Sequence, residues 1–233
     1  GGDELFAGYG RYRSAIRPRF LGGRPMRRNG LLDGLGILRT EGRSWRAGIA
    51  ASEAAAALPG RSPLQIVQAA DCADWLPNDL LTKLDRCLMA HGIEGRTPFL
   101  DPAVANMAFR LPDRLKVRRR TGKYLLRRWL SDAAPAVRSA APKQGFTVPV
   151  GEWIAGEGAR LAPLVASQPG IAERCNPAAV EALFRHGLAA GGGANGHGQA
   201  AWVLLFFALW HQLHIVGVCA GGDAAGILAQ KQG

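Results

Sequence analysis

Between positions 202 and 213, apolar side chains recur at Trp202, Leu205, Phe206, Leu209, Trp210 and Leu213. An α-helix gathers such an i, i+3, i+4, i+7 series on one face. The spacing predicts an amphipathic helix that packs its aromatic stripe onto the rest of the molecule. That face needs a partner layer, and the chain supplies further helices. Leu64, Val67 and Ala70 keep helical spacing between Pro63 and Pro77. Leu80, Leu81, Leu84 and Leu88 build another apolar face that would hold its helix to the core, with Asp79, Lys83 and Arg86 opposite. Asp101-Pro102 offers an N-cap and a first-turn proline for a helix that ends before Pro112. Gly122 to Ser131 reads as one more, stopped before Pro135. Only Leu115 to Val117 has strand character, and no βαβ alternation is visible. The expected fold of the segment is mainly α.

A chain of 233 residues with 48% apolar and 20% charged residues is long and apolar enough for a folded domain. Residues 17–43, rich in Gly, Pro and Arg, read as an irregular connector. Residues 187–198 read as an exposed Gly-rich loop and residues 218–233 as a loose tail. The chain starts at Gly1 with no signal-peptide pattern, so it reads as a cut within a longer chain. The most apolar run, Ala200 to Leu209, is too short to span a bilayer and reads as a buried helix. Cys72, Cys87, Cys175 and Cys219 form no CxxC pair, which suits reduced thiols and a cytoplasmic setting. The net charge of +11 is carried mostly by scattered arginine. No zinc-finger spacing, RNP-like aromatic stripe or recognition helix accompanies it, so the charge favours anionic ligands in general rather than nucleic acid. His211 and His214 lack a third ligand, and no metal site is expected there.

Four segments could carry chemistry. Gly1-Gly2-Asp3-Glu4 is a small-residue turn running into an acidic pair. Such a turn lets backbone N–H groups approach phosphate, and Asp3 beside it could hold Mg²⁺. Equally, Asp3 and Glu4 suit the positive end of a helix. In Leu76-Pro77-Asn78-Asp79-Leu80-Leu81-Thr82-Lys83-Leu84-Asp85-Arg86, the residues Asp79, Lys83 and Arg86 could line a ligand cleft, or form a surface i, i+4 pair worth a few tenths of a kcal/mol. Glu94, Arg96 and Asp101 read as a buried ion pair and an N-cap that fix a turn. Lys123 in the first turn of a helix opposes the helix dipole, which fits an anionic partner or an exposed lysine. Last comes Pro142-Lys143-Gln144-Gly145-Phe146-Thr147-Val148-Pro149, followed by Trp153.

GGDELFAGYGRYR, the LPNDLLTKLDR…MAHGIEGRTPFLD region and PKQGFTVPxxxW resemble three segments of the synthetase domain of glutamine-hydrolysing asparagine synthases. Gly95 stands where that family has a bulkier residue. The resemblance implies that the chain is the helical C-terminal half of an α/β, PP-loop-type synthetase domain, with the SGGxDS pyrophosphate loop and the glutaminase outside it. It implies ATP and Mg²⁺ as cofactors, adenylation of the aspartate side-chain carboxylate, and amidation by ammonia from glutamine. It assigns Lys143 and Asp79 to catalysis, Gly1, Gly2, Asp3, Glu4 and Lys123 to ATP or pyrophosphate, Asp3 to Mg²⁺, and Lys83 and Arg86 to the cleft. Alternatives are a related amidotransferase or β-lactam-synthetase-like ligase, and a non-catalytic helical interaction module. Alone, the segment is expected to be inactive and to expose apolar surface that favours self-association.

Overall fold

The computed structural model describes residues 1–40, 46–137, 148–187 and 196–230. Among these the chain is mostly helical and has no β-strand, only two isolated bridges, Leu38 with Cys175 and Arg118 with Thr121. It divides into two compact units.

The first unit comprises residues 1–28 and the described residues from 46 to 137. It holds α1 (Gly2–Leu5), α2 (Gly10–Ala15), α3 (Ala47–Ala56), α4 (Pro63–Ala73), α5 (Thr82–Met89), α6 (Pro102–Arg110), α7 (Asp113–Lys116) and α8 (Tyr124–Ala133). The start of α4 is written in its sequence. Ser62 accepts from Gln65 N while the Gln65 side chain accepts from Ser62 N, a reciprocal cap reinforced by Pro63 at the first helical position. Asp101 caps α6 in the expected way, accepting from the amides of Ala103 and Val104. The apolar content is divided between two small clusters. Tyr12, Met26, Leu64, Val67 and Ala70 form one, and Leu5, Phe6 and Ala108 the other.

Three expectations change here. Leu115 is helical, not extended, because α7 runs from Asp113 to Lys116 directly after Pro112, and only Val117 is extended. The leucines of α5 do not hold it to a core: no residue of α5 is buried, and a π-helical turn, Leu76–Leu81, leads into it. Glu94 and Arg96 pair at 2.9 Å on the surface instead of in the interior.

The second unit comprises residues 29–40 and the described residues from 148 onward. It holds α9 (Val150–Ala166), α10 (Pro169–Arg174), α11 (Pro177–Ala182), α12 (His197–His211) and α13 (Ala224–Ala229). One continuous core joins them, with Ile154, Leu161 and Val165 of α9 against Leu204, Leu205 and Ala208 of α12, closed by Phe184 and Ile171. The register of α12 differs from the expected one. Gly198, Ala200, Ala201, Leu204, Leu205 and Ala208 face inward, while Trp202, Phe206 and Trp210 are 43, 58 and 41% exposed. Small residues let α9 and α12 approach closely, and that contact decides the face. With the π-helical turn Gln212–Val216, α12 makes a 20-residue helix long and apolar enough by composition to cross a membrane, longer than the run picked out in the sequence. Its inner face packs on α9 within the unit's core.

Residues 17–40 are largely irregular, yet Ile37 is fully buried in the second unit and Asn176 N donates to its carbonyl at 2.7 Å. Part of the expected tail is structured. Asp223 caps α13, Ala225 and Leu228 are buried, and the side chains of Gln168 and Gln212 both donate to the Leu228 carbonyl.

Candidate functional site

The acidic turn at the start of the chain folds as α1, a helix of only four residues. So short a helix leaves nearly all its carbonyls without intrahelical partners, and each finds one elsewhere. Gly8 N donates to Asp3 O at 2.8 Å, Gln68 Nε2 to both Glu4 O and Leu5 O, and Lys123 N to Phe6 O at 2.9 Å. The last of these joins the beginning of the chain to the entrance of α8.

There Asp3 and Lys123, predicted separately from two motifs 120 positions apart, come together. Lys123 Nζ lies 3.0 Å from Asp3 Oδ1, with the side chains 29 and 25% exposed. The approach depends on two glycines. A Cβ on Gly8 would stand 1.9 Å from Asp3 Oδ1 and 2.4 Å from Lys123 Cε, and one on Gly122 would stand 2.1 Å from the Ala7 carbonyl oxygen. The backbone is also strained on both sides. Ala7 and Lys123 hold φ of 57° and 54°, a left-handed conformation costing a side-chain-bearing residue about 1–2 kcal/mol.

Glu4 is turned inward, buried, and accepts the Tyr9 hydroxyl at 2.7 Å. Burial, then the Glu4 carboxylate, pushes Tyr9 well above the usual phenol range. Gly1 and Gly2 lie against Leu100 and Phe99, which fixes the turn onto the Pro98–Leu100 segment. Of the acidic pair, then, Asp3 is the carboxylate directed to Lys123. Asp79 and Lys83 form their own exposed pair at 3.5 Å, and Arg86 is exposed nearby in sequence on α5. Lys143 lies outside the described residues.

Several residues of this region had not been singled out in the sequence. Helix α4 carries polar side chains at every third position from its cap: Ser62, Gln65, Gln68 and Asp71. Ser62 donates to Asp113, Gln65 to the Phe109 carbonyl, and Gln68 holds α1. Asp71, 1% exposed, accepts from Arg11 at 2.6 Å, from the Tyr12 hydroxyl at 2.6 Å and from Arg27 at 2.7 Å. Arg11 also lies over the Tyr9 ring and Arg27 over Trp75. Thus α4 ties down α1, α2 and the 24–28 segment together. The signal was the polar three-residue repeat inside an otherwise apolar helix. Burial, and then Glu4 and Asp71, push the Cys72 thiol beside it up to about 11, which favours the thiol over the thiolate.

Chemically, the site offers one carboxylate and one ammonium that solvent can reach, on a backbone anchored from several sides. The ammonium suits a phosphate oxygen as a compact point charge. Among the described residues, no group of three or more His, Cys, Asp or Glu comes together to hold a metal. A hard cation at Asp3 would leave positions open to phosphate and water, the ligands Mg²⁺ commonly keeps.

The sequence profile described as asparagine synthase matches residues 1–212. A putative glutamine-hydrolysing asparagine synthetase of Mycobacterium tuberculosis is 36% identical over 157 residues, 67% of this chain and 24% of the relative. The glutamine-hydrolysing asparagine synthetase 1 of Bacillus subtilis is 29% identical over 154 residues, 66% of this chain and 24% of its own length. The chain thus spans about a quarter of the length of the curated relatives it matches. No solved structure matches it. The profile match covers the Asp3–Lys123 pair and both helical units up to α12, and on it the chain belongs to the asparagine synthase family.

Proposed function

We propose that this chain is the helical C-terminal half of a PP-loop-type synthetase domain that forms asparagine, acting in the reduced cytoplasm as part of a longer, glutamine-dependent protein. The observation that carries the reading is the convergence of Asp3 and Lys123 on an anchored turn, in a chain of this family. ATP and Mg²⁺ supply the activating group and neutralise its phosphate charge. Lys123 would hold a phosphate oxygen, and Asp3 would be the carboxylate that holds the cation. The aspartate side-chain carboxylate attacks the α-phosphorus of ATP, and pyrophosphate leaves with the electrons of the broken P–O bond. Ammonia from glutamine then forms the C–N bond and AMP departs. Lys143, assigned by its motif, stabilises the charge that builds up on oxygen in these steps. Asp79, with Lys83 and Arg86 beside it, lines the carboxylate-binding side.

The test is made in the full-length protein, with asparagine, pyrophosphate and glutamate measured together. Asp3→Asn and Lys143→Ala are each expected to lower pyrophosphate and asparagine formation by roughly 10²–10³-fold and to leave glutamate release intact. Lys143→Arg should rescue poorly, because a planar fork does not replace a point charge. Near-normal asparagine formation by folded Asp3→Asn would remove the pair from the site. Pyrophosphate release with another carboxylate and none with aspartate would assign the chain to a related ligase.

A further inference from the structure

We infer that Gln68 and Lys116 are positioning residues for the Asp3–Lys123 centre: Lys116 fixes which way round the Gln68 amide sits, and Gln68 thereby holds the turn that presents Asp3. The inference rests on the function proposed above only for its consequence in the reaction; the positioning itself stands on geometry.

Lys116, the last residue of α7, is fully buried. Its Nζ donates to Gln68 Oε1 at 3.0 Å and to the Phe109 carbonyl at 3.1 Å, and lies over the Phe109 ring. No carboxylate hydrogen-bonds it among the described residues, which is costly for a buried lysine. A primary ammonium only donates. Facing it, the glutamine must offer oxygen, and the amide nitrogen is then forced to the other end. That NH₂ group has two protons, and two carbonyls await them: Glu4 O and Leu5 O. Were the amide reversed, its oxygen would face two carbonyl oxygens and its nitrogen an ammonium, and every contact would be repulsive. Lys116 therefore selects one of two orientations of similar shape.

The consequence reaches the site within one residue. With Gly8 N on Asp3 O and Lys123 N on Phe6 O, the Gln68 bonds complete an unbroken run of four held carbonyls from Asp3 to Phe6. Burial pulls the Lys116 amine down to about 8, a cost that an apolar residue of similar volume would avoid. A lysine kept there for stability alone is hard to account for. A lysine kept to orient an amide is not.

The experiment compares wild type with Lys116→Met and Gln68→Glu in the full-length protein. Gln68→Glu keeps a partner for Lys116 and removes both donors to α1, so it tests the amide without orphaning the amine. Hydrogen exchange reads the positioning directly. The Gly8 and Lys123 amides are expected to exchange about 10- to 100-fold faster in both variants, with α9 and α12 unchanged. Exchange of label between pyrophosphate and ATP reads the consequence. It is expected to fall by a similar factor, with glutaminase activity intact, and Lys116→Met should cause no further loss once Asp3 is Asn. Unchanged amide exchange in folded variants overturns the inference. So does a loss of label exchange that adds in full to that of Asp3→Asn, because an unspecific structural effect would add. If wild type itself shows no label exchange, the proposed function fails, and the amides alone decide the positioning.

Discussion

The two units solve the same problem with different materials. In the second, α9 and α12 meet through Ile154, Leu161, Val165, Leu204 and Leu205 in a single core. In the first, apolar residues are split between two small clusters, and α5 and α8 bury no residue at all. What the first unit has in their place is a set of buried polar bonds radiating from α4, centred on Asp71 and Gln68. Apolar contact is indifferent to direction, while hydrogen bonds are strongly directional. The unit that carries the Asp3–Lys123 pair is thus the one held more by directional bonds, although Gln168 and Gln212 supply a few in the second. That suits a site whose geometry has to be fixed to a fraction of an ångström.

If this contrast is sound, the largest effect in the molecule comes from Asp71. Asp71→Ala leaves Arg11, Tyr12 and Arg27 without their shared acceptor and should cost about 3–5 kcal/mol. Amide exchange should rise throughout α4 while α9 and α12 keep their protection, and equal loss in both units would break the contrast. Next, Leu204→Ala opens a cavity in the second unit and should cost about 2–5 kcal/mol by chemical denaturation. That cost should not change between low and high salt; a strong salt dependence would mean that its core is less apolar than described.

A smaller effect distinguishes the units by pH. Burial lowers Lys116 from 10.5 to about 8. Between these values the folded chain has released a proton that the unfolded chain retains, so this residue's contribution to stability rises with pH. The stability of wild type relative to Lys116→Met should grow from pH 7 to pH 9.5, by at most about 1.4 kcal/mol per pH unit. Cys72 contributes the opposite slope but is present in both proteins. A flat difference would place the amine in contact with water. Smallest of all, Asp79→Ala should change stability by less than about 0.5 kcal/mol, since its pair with Lys83 is exposed. A large activity loss at unchanged stability would then count for its assigned role in the cleft.

Much of this architecture was legible in the sequence where local chemistry decides it. Ser62-Pro63 and Asp101-Pro102 state where α4 and α6 begin, because caps and first-turn prolines act within a few residues. The inward face of α12 was not legible. In a helix apolar nearly all round, several faces satisfy the same spacing, and close approach to α9 selects the one with Gly198, Ala201 and Ala208. The leucines of α5 show the same limit: an apolar face states what a helix can bury, not that this chain buries it. At the site, Asp3 and Lys123 were each visible in their own motif, but nothing local says that they meet. Gln68 and Lys116 escaped notice because a buried glutamine and lysine read as surface residues until their partners are known.

The glycines beside Asp3 set a limit on how this sequence can drift. At Gly8 and Gly122 even a methyl group collides with atoms at the site, with a carboxylate and a neighbouring side chain at one and a backbone carbonyl at the other. Every codon change that replaces glycine adds at least that methyl, so at Gly122 it meets fixed backbone one step away, and at Gly8 it must push aside the ends of the Asp3 and Lys123 side chains. Helix α5, which buries no residue, imposes no such limit on its Asp79–Arg86 side. Substitutions would therefore accumulate first on the Asp79–Arg86 face, where intermediate sequences can fold, and leave the Asp3–Lys123 turn unchanged.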